Sequence, residues 1–529
     1  MKPSTGRGLD YDVVVAGGGP VGLMLAGELT LGGARVVVLE RRSSVDPTIK
    51  AGGINTPTAE AFYRRGLLPA LTESQQRTLE QFKAFGERNQ GKSRPERSPH
   101  KVAGHFAGIM LSADRIDPAE PDFADLGPAV AGVTMVPQQE VERILGEHAA
   151  KLGVELRRGV EVTGFDEDAE GVTVHTVDAA EDGERRRESI RAGWLVGCDG
   201  GRSTVRRLAG FAFPGTDPQI TGHQAVVEMT GAEALIPGWN WTDTGVYVHG
   251  PIPGRILTVE FDGPPADRDA PVTAEELQRS LRRVSGVDVT ITGVRTATRF
   301  TDNARQATEY RRGRVLLAGD AAHVHSPFGG QGLNLGIGDA MNLGWKLAAV
   351  VGGRASEQLL DSYTAERHPI GAWVLDWTRA QVALMRPSPH IRALRGVVTD
   401  LTGTVAGTTY VVKQISGVWQ GYGLPGDHPL VGRSAPDLLL ADGSRLADHL
   451  HGGRAVLFDL IEDDALRASA GKYDGRVDTV TAACPDRPQL RGLLVRPDGF
   501  TAWASDLSDD PAASGEALAA ALVRWFGAP

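Results

Sequence analysis

Two short glycine loops, far apart in the chain, carry the residue types best suited to chemistry. The first is Gly17-x-Gly19-x-x-Gly22, preceded by Val13-Val14-Val15 and followed by an apolar stretch from Leu23 to Leu31, then by Val36-Val37-Val38-Leu39 and Glu40. In a strand, turn, helix, strand unit these residues have separate tasks. Gly17 permits a tight turn, Gly19 lets a pyrophosphate approach the backbone, and Gly22 lets helix and strand pack closely. Pro20 and Val21 open the helix, whose N-terminus offers unpaired N–H groups and positive potential to phosphates. Glu40 closes the second strand, where it can accept hydrogen bonds from ribose hydroxyls. Arg41 either reaches the adenosine or phosphate side or stands as a solvated surface arginine. The unit is a dinucleotide site by this pattern, and it leaves NAD and FAD equally open.

The second loop decides between them. Arg314 to His323 has the pattern of a buried strand ending in Gly319-Asp320, followed by Pro327-Phe328-Gly329-Gly330-Gln331-Gly332-Leu333-Asn334 and a long helix. Between the two loops lies Cys198-Asp199-Gly200-Gly201-Arg202. In this order the three elements resemble the single-component FAD-dependent aromatic hydroxylases, the group typified by para-hydroxybenzoate hydroxylase. The chain is similar in particular to the larger bacterial members that oxidise aromatic polyketides and carry a thioredoxin-like C-terminal domain.

The resemblance implies FAD as resident cofactor, NADPH or NADH as transient reductant, and O2 as co-substrate. It assigns Asp320 to ribityl hydroxyls, and the backbone of Gly332, Leu333 and Asn334 to the flavin N1/C2 carbonyl. Pro327, Gly329 and Gly330 form the flavin-side loop, with a part in catalysis. Asp199 belongs to a motif associated with FAD and nicotinamide, Gln138 contacts the flavin nucleotide, and Val162 presents backbone atoms to the adenine. Lys50 stands where many relatives have an arginine, and Pro57 replaces a second one. Lysine lacks the bidentate fork of arginine, so any phosphate or peroxide contact at Lys50 is a point-charge contact.

The expected fold is α/β. A Rossmann-like FAD-binding domain is split into residues 1–75, 132–210 and 296–395, because the three motifs must meet around one cofactor. Residues 76–131 and 211–295 form an inserted antiparallel-sheet substrate domain, and 396–529 a thioredoxin-like α/β unit without CxxC. Pro137 to Leu152 has helical spacing, while Val246 to His249 and Ile256 to Phe261 flank a Pro253-Gly254 turn as a hairpin. The stretch from His105 to Met110, after charge-rich Glu87 to Lys101, is expected to add another strand to that sheet. Ala455 to Leu460 and Leu493 to Arg496 are strand candidates in the last unit. Its final helix shows Leu518, Leu522 and Trp525 on one face, with Ser514 as N-cap.

Composition narrows the class. The chain has 529 residues, 41% apolar and 23% charged, with a net charge of −10, which fits a globular protein and gives no sign of nucleic-acid binding. Two cysteines, Cys198 and Cys484, exclude a disulfide framework or a dithiol centre and fit a cytoplasmic setting. No membrane span or metal site is expected, since His323 and His325 lack acidic or cysteine partners at ligand spacing. The expected state is monomer or homodimer. Trp239-Asn240-Trp241 is similar to the Trp-x-Trp of flavin halogenases, but Thr242-Asp243 follows instead of Ile-Pro. His105, Tyr247 and His249 are candidate substrate contacts.

The reaction implied is hydroxylation of a polycyclic aromatic, polyketide-type substrate through a C4a-(hydro)peroxyflavin. Baeyer–Villiger insertion next to a ring ketone, hydroxylating antibiotic inactivation, and a non-catalytic flavoprotein are the alternatives that the same cofactor site leaves open.

Overall fold

Branched apolar residues buried on both faces set the centre of the molecule. The computed structural model describes residues 8–88, 102–124, 126–127, 135–179, 185–268 and 270–529. Residues 89–101, most of the charge-rich stretch noted above, lie outside them. The strands Tyr11–Ala16 and Val36–Glu40 pair in parallel, Val13 opposite Val36 and Val15 opposite Val38. Their Val and Leu side chains are almost wholly buried, as a parallel strand covered on both faces requires. Glu155–Arg158 adds on one side, and Arg185–Gly197 followed by Val315–Leu317 on the other, all parallel. Four of these strands therefore end along one edge, and Glu40, Gly17, Asp199 and Gly319-Asp320 sit at or just beyond those ends. This is the Rossmann-like arrangement, in which ligands bind at the carboxyl edge where the winding direction switches.

A second sheet is antiparallel, in the order Gly238–Trp241, Gly245–His249, Arg255–Glu260, Thr221–Thr230, Thr290–Phe300. Strand alternation gives it two different faces. Ala225, Val227, Tyr247 and Ile256 pack onto Leu277, Leu281 and Val284 of the helix Ala274–Ser285. The opposite face carries Trp239, Trp241, Val246, Leu257 and Val259, and it meets Phe328 of the second glycine loop.

Two expectations change here. Tyr247 and His249 share the face turned toward the helix, so neither is a contact on the flavin side. The hairpin Val102–Phe106 and Ile109–Ser112 forms its own two-stranded sheet rather than extending the larger one. Its turn is tight, with Ala107 and Gly108 both at positive φ (48° and 75°), so the two short strands satisfy each other.

The last unit has the strand order Val477–Thr481, Ala455–Asp459, Leu490–Val495, Thr501–Asp506, the first pair parallel and the others antiparallel. This is the thioredoxin-like arrangement, and Leu518, Leu522 and Trp525 of the helix Pro511–Phe526 fill its core. The N-cap is Asp510, whose carboxylate accepts from Ala513 N–H at 3.1 Å, and not Ser514, which is buried inside the first turn. Aspartate followed by proline at the first helical position outweighs a serine four residues after it.

Buried charges lock this unit to the FAD-binding domain. Arg496 is fully buried and donates through Nη1 and Nη2 to the two oxygens of Glu366 at 2.9 and 2.8 Å. Asp498 is its second carboxylate partner, and the rings of Trp345, Tyr422 and Trp525 surround the guanidinium. Lys346 Nζ reaches Glu366 at 2.8 Å, and burial pulls the lysine pKa down to about 7. Arg65 repeats the device, bridging Glu28 and the carbonyls of Leu450 and Pro497. No described helix is long and apolar enough to cross a membrane.

Removing one partner of a buried ion pair strands the other in a low-dielectric interior. Arg496→Leu is therefore expected to cost about 3–5 kcal/mol, read as a lower midpoint in chemical denaturation. An unchanged midpoint contradicts the clamp.

Candidate active site

The three glycines of the first loop are not equivalent. A Cβ on Gly17 (φ +109°) would lie 2.3 Å from the Cys198 carbonyl oxygen, and one on Gly22 would lie 1.9 Å from the Gly17 oxygen. Both positions are closed by backbone, so they serve packing. A Cβ on Gly19 would meet nothing within 4 Å. Gly19 is the N-cap of the helix Pro20–Leu31, which has no side-chain cap and no acidic residue in its first turn. Its first N–H groups are thus left for an external acceptor. Glu40 is pinned beside them, accepting from Gly18 N–H at 2.7 Å and from Arg42 N–H at 2.9 Å. Arg41 is exposed.

The second loop is built from a buried ionic cluster. Asp339, in the helix Gln331–Val351, accepts at Oδ2 from Gly319 N–H (3.0 Å) and from His323 Nε2 (2.7 Å), and at Oδ1 from Arg367 Nε (2.8 Å). All three side chains are fully buried. Burial alone would raise the Asp339 pKa, but His323 and Arg367 outweigh it and hold the carboxyl below its ordinary value. Val21 keys the two loops together, since a Cβ on Gly336 would lie 2.5 Å and one on Gly319 3.0 Å from Val21 Cγ2.

Asp320, next to this anchor, is exposed, and its Oδ1 lies 3.8 Å from where a Cβ on Gly332 would stand. Gly330 (φ +62°) is the N-cap of Gln331–Val351, again with no side-chain cap, no acid in the first turn and open space at its Cβ position. Two helix N-termini without side-chain caps and one exposed carboxylate therefore converge on the carboxyl edge of the parallel sheet. They fit FAD: Gly19 and the turn after it would hold the pyrophosphate, Glu40 the adenosine ribose, Asp320 the ribityl chain, and the Gln331–Asn334 turn the electron-accepting ring edge.

Other sequence candidates land as follows. Leu333 packs on the main core, and the Asn334 side chain is buried, accepting from Asn55 N–H (2.8 Å) and donating to Gly330 oxygen (2.7 Å). Gln138 opens the helix Gln138–Lys151 and donates its N–H to Ala51 oxygen at 3.0 Å. Asp199 Oδ2 accepts from Thr204 and Val205 N–H, while its Oδ1 is buried without a partner among the described residues. Val162 is half-buried in the strand Val160–Glu167. Pro327 is exposed, and Gly329 presses against Gln381, whose amide joins Phe328 oxygen to Ala107 N–H. Lys50 is half-exposed and ion-paired with Asp46 at 3.0 Å, an acid that Arg42 shares; its charge is committed to that surface pair.

Above the second loop stands an aromatic wall. His105 lies 4.7 Å from Trp239, ring to ring, and Phe300 stands edge-on to Phe328 at 5.9 Å. Arg395 sits 3.6 Å over the Trp241 ring and donates to Ala107 oxygen. Burial lowers the His105 pKa to about 4, and its Nδ1 accepts from Gly108 N–H, so this imidazole is uncharged at neutral pH.

Residues 10–378 match the family described as FAD binding domain, and residues 428–529 the one described as aromatic-ring hydroxylase, C-terminal. The chain belongs to the FAD-dependent aromatic-ring hydroxylases. This hydroxylase is 40% identical to the 12-dehydrotetracycline 5-monooxygenase/anhydrotetracycline 6-monooxygenase of Streptomyces rimosus, over 98% of this chain and 99% of that one. It is 39% identical to a rifampicin monooxygenase of Streptomyces venezuelae with the same coverage. The solved OxyS anhydrotetracycline hydroxylase from Streptomyces rimosus superposes with a TM-score of 0.82 at 39% identity, covering 98% and 99% of the two chains. The enzyme is a flavoprotein monooxygenase.

The loop geometry separates two substitutions in this hydroxylase. Gly19→Ala is expected to fold normally, because its methyl meets no protein atom, yet to bind FAD at least about tenfold more weakly. Gly22→Ala must displace backbone and is expected to lose about 1–3 kcal/mol of stability. Flavin titration and denaturation of the apoproteins check both; equal behaviour of the two variants contradicts the assignment.

Proposed function

We propose that this enzyme uses NAD(P)H and dioxygen to hydroxylate a polycyclic aromatic substrate of the polyketide type. The observation that carries the reading is the aromatic wall of Trp239, Trp241 and Phe300, placed against Phe328 in the loop that opens the second uncapped helix. Flat apolar faces suit a fused-ring molecule, which stacks in offset or tilted geometry on tryptophan and phenylalanine.

FAD, when bound and reduced, supplies the oxygen chemistry. The protein supplies position and electrostatics. N–H groups at the start of Gln331–Val351 offer partial positive charge where negative charge develops on reduction. Trp239, Phe300 and Phe328 keep water from the reacting ring, which prevents wasteful side reactions. Gln381 fixes the Phe328–Gly329 turn to the hairpin through its two amide hydrogen bonds, so the loop and the substrate wall hold one spacing. The similarity to anhydrotetracycline and rifampicin monooxygenases supports a large oxygenated polycycle over a single-ring phenol.

The test is NADPH oxidation by the FAD-loaded enzyme with anhydrotetracycline, rifampicin and polycyclic phenols, in isotopically labelled dioxygen. The expected result is substrate-stimulated oxidation and a product bearing one labelled oxygen on an intact ring system. A stimulated reaction with no label in any product contradicts the proposal.

A further inference from the structure

The hairpin Val102–Phe106 and Ile109–Ser112 ends on the aromatic wall rather than in solvent. Its tip residue Ala107 is fully buried, and a Cβ on Gly108 would stand 2.4 Å from Trp241 Cζ2 and 2.9 Å from Trp239 Cδ2. The tip therefore lies against both indole rings, where a stacked fused-ring molecule would have to sit.

This position is held at one residue from two sides. Ala107 N–H donates to Gln381 Oε1 at 3.0 Å, and Arg395 Nη2 donates to the Ala107 carbonyl at 3.0 Å. Each partner also grips a second element. Gln381 Nε2 donates to Phe328 oxygen, and the Arg395 guanidinium lies 3.6 Å over the Trp241 ring. The two hydrogen bonds oppose backbone strain, because Ala107 holds a left-handed conformation (φ 48°) that residues with a Cβ rarely adopt. The base of the hairpin is anchored separately, with Leu111 packed on Val411 and Val412 of the helix Val405–Ser416. Between base and tip the pairing register shifts from Val102 to Gly104, and Gly104 has φ +142°. A bulge of this kind is where a strand can bend.

We infer that the hairpin tip is a gate: closed, it covers the aromatic wall under a latch of Gln381 and Arg395, and a polycyclic substrate binds by displacing it from Trp239 and Trp241. The inference rests on the reading of the aromatic cleft as the substrate pocket. Strain at Ala107 offsets part of the latch, which keeps the open state within reach of the substrate's binding energy. Displacement also releases Gln381 from the tip, and Gln381 is the residue that holds the Phe328 carbonyl of the second glycine loop.

The experiment uses the FAD-loaded enzyme with emodin as probe, reading hydrogen exchange across residues 102–112 and stopped-flow binding kinetics. Saturating emodin is expected to speed exchange of the Ala107 amide, since its acceptor on Gln381 is lost. Slower or unchanged exchange there overturns the gate. Arg395→Met removes half of the latch and keeps an apolar chain over Trp241. Without ligand it should speed exchange at the tip. It should also raise the emodin association rate and affinity together by about tenfold with the dissociation rate unchanged, as a larger open fraction requires. Faster dissociation instead assigns Arg395 to direct substrate contact and overturns the latch. Ala107→Gly keeps both hydrogen bonds and removes the strain, so it should raise the thermal midpoint and slow association by about threefold. Faster association in that variant contradicts the gate. Emodin that is bound and oxygenated while the tip stays protected leaves the proposed function intact and refutes the gate alone, whereas failure of every polycycle to bind removes both.

Discussion

The Asp339 carboxylate is the constraint on which the cofactor site depends. It is fully buried, and it accepts from the Gly319 backbone, from His323 and from Arg367. An isolated buried carboxylate would protonate rather than hold a charge. Here two basic side chains make the ionised form the stable one, and the ion in turn fixes the strand end that carries Asp320. Because Asp339 belongs to the helix that begins at Gln331, the same interaction sets the distance between that helix and the Gly319 turn. Val21 then carries the position across to the first glycine loop.

The helix Gln331–Val351 links cofactor and C-terminal unit. Its first turn follows the second glycine loop, its middle holds Asp339, and its second half holds Trp345 and Lys346 against Glu366 and Arg496. A cluster of buried charges at that end resists sliding, since any shift leaves a carboxylate or a guanidinium unpaired. The thioredoxin-like unit lacks a cysteine pair, with Cys484 its only cysteine. Its visible contribution is to hold this helix and, through Arg65, the helix Pro20–Leu31.

Much of the carboxyl edge of the parallel sheet was legible in the sequence because it is local. Val13 to Glu40 encodes strand, turn, helix and strand without outside help, and Gly319-Asp320 follows its strand directly. The ionic cluster was not legible, because His323, Asp339 and Arg367 come from a loop and two helices and meet only in the fold. One signal was present: Asp339 stands in a helix stretch of Leu335, Ile337, Ala340 and Met341, where an acid must be paired. Alternation located the strands of the antiparallel sheet but not which face a helix would cover, so Tyr247 and His249 stand among the candidate substrate contacts although their face is the one turned toward the helix. Asn334 was read for its backbone, while its side chain turned out to tie Asn55 to Gly330.

The most direct test of this account is FAD titration of Asp339→Asn, with secondary structure monitored in parallel. Asparagine keeps the size of the side chain and removes the charge with which Arg367 pairs. The account predicts a folded protein with FAD affinity lowered by about tenfold or more. Wild-type FAD affinity in that variant would contradict it.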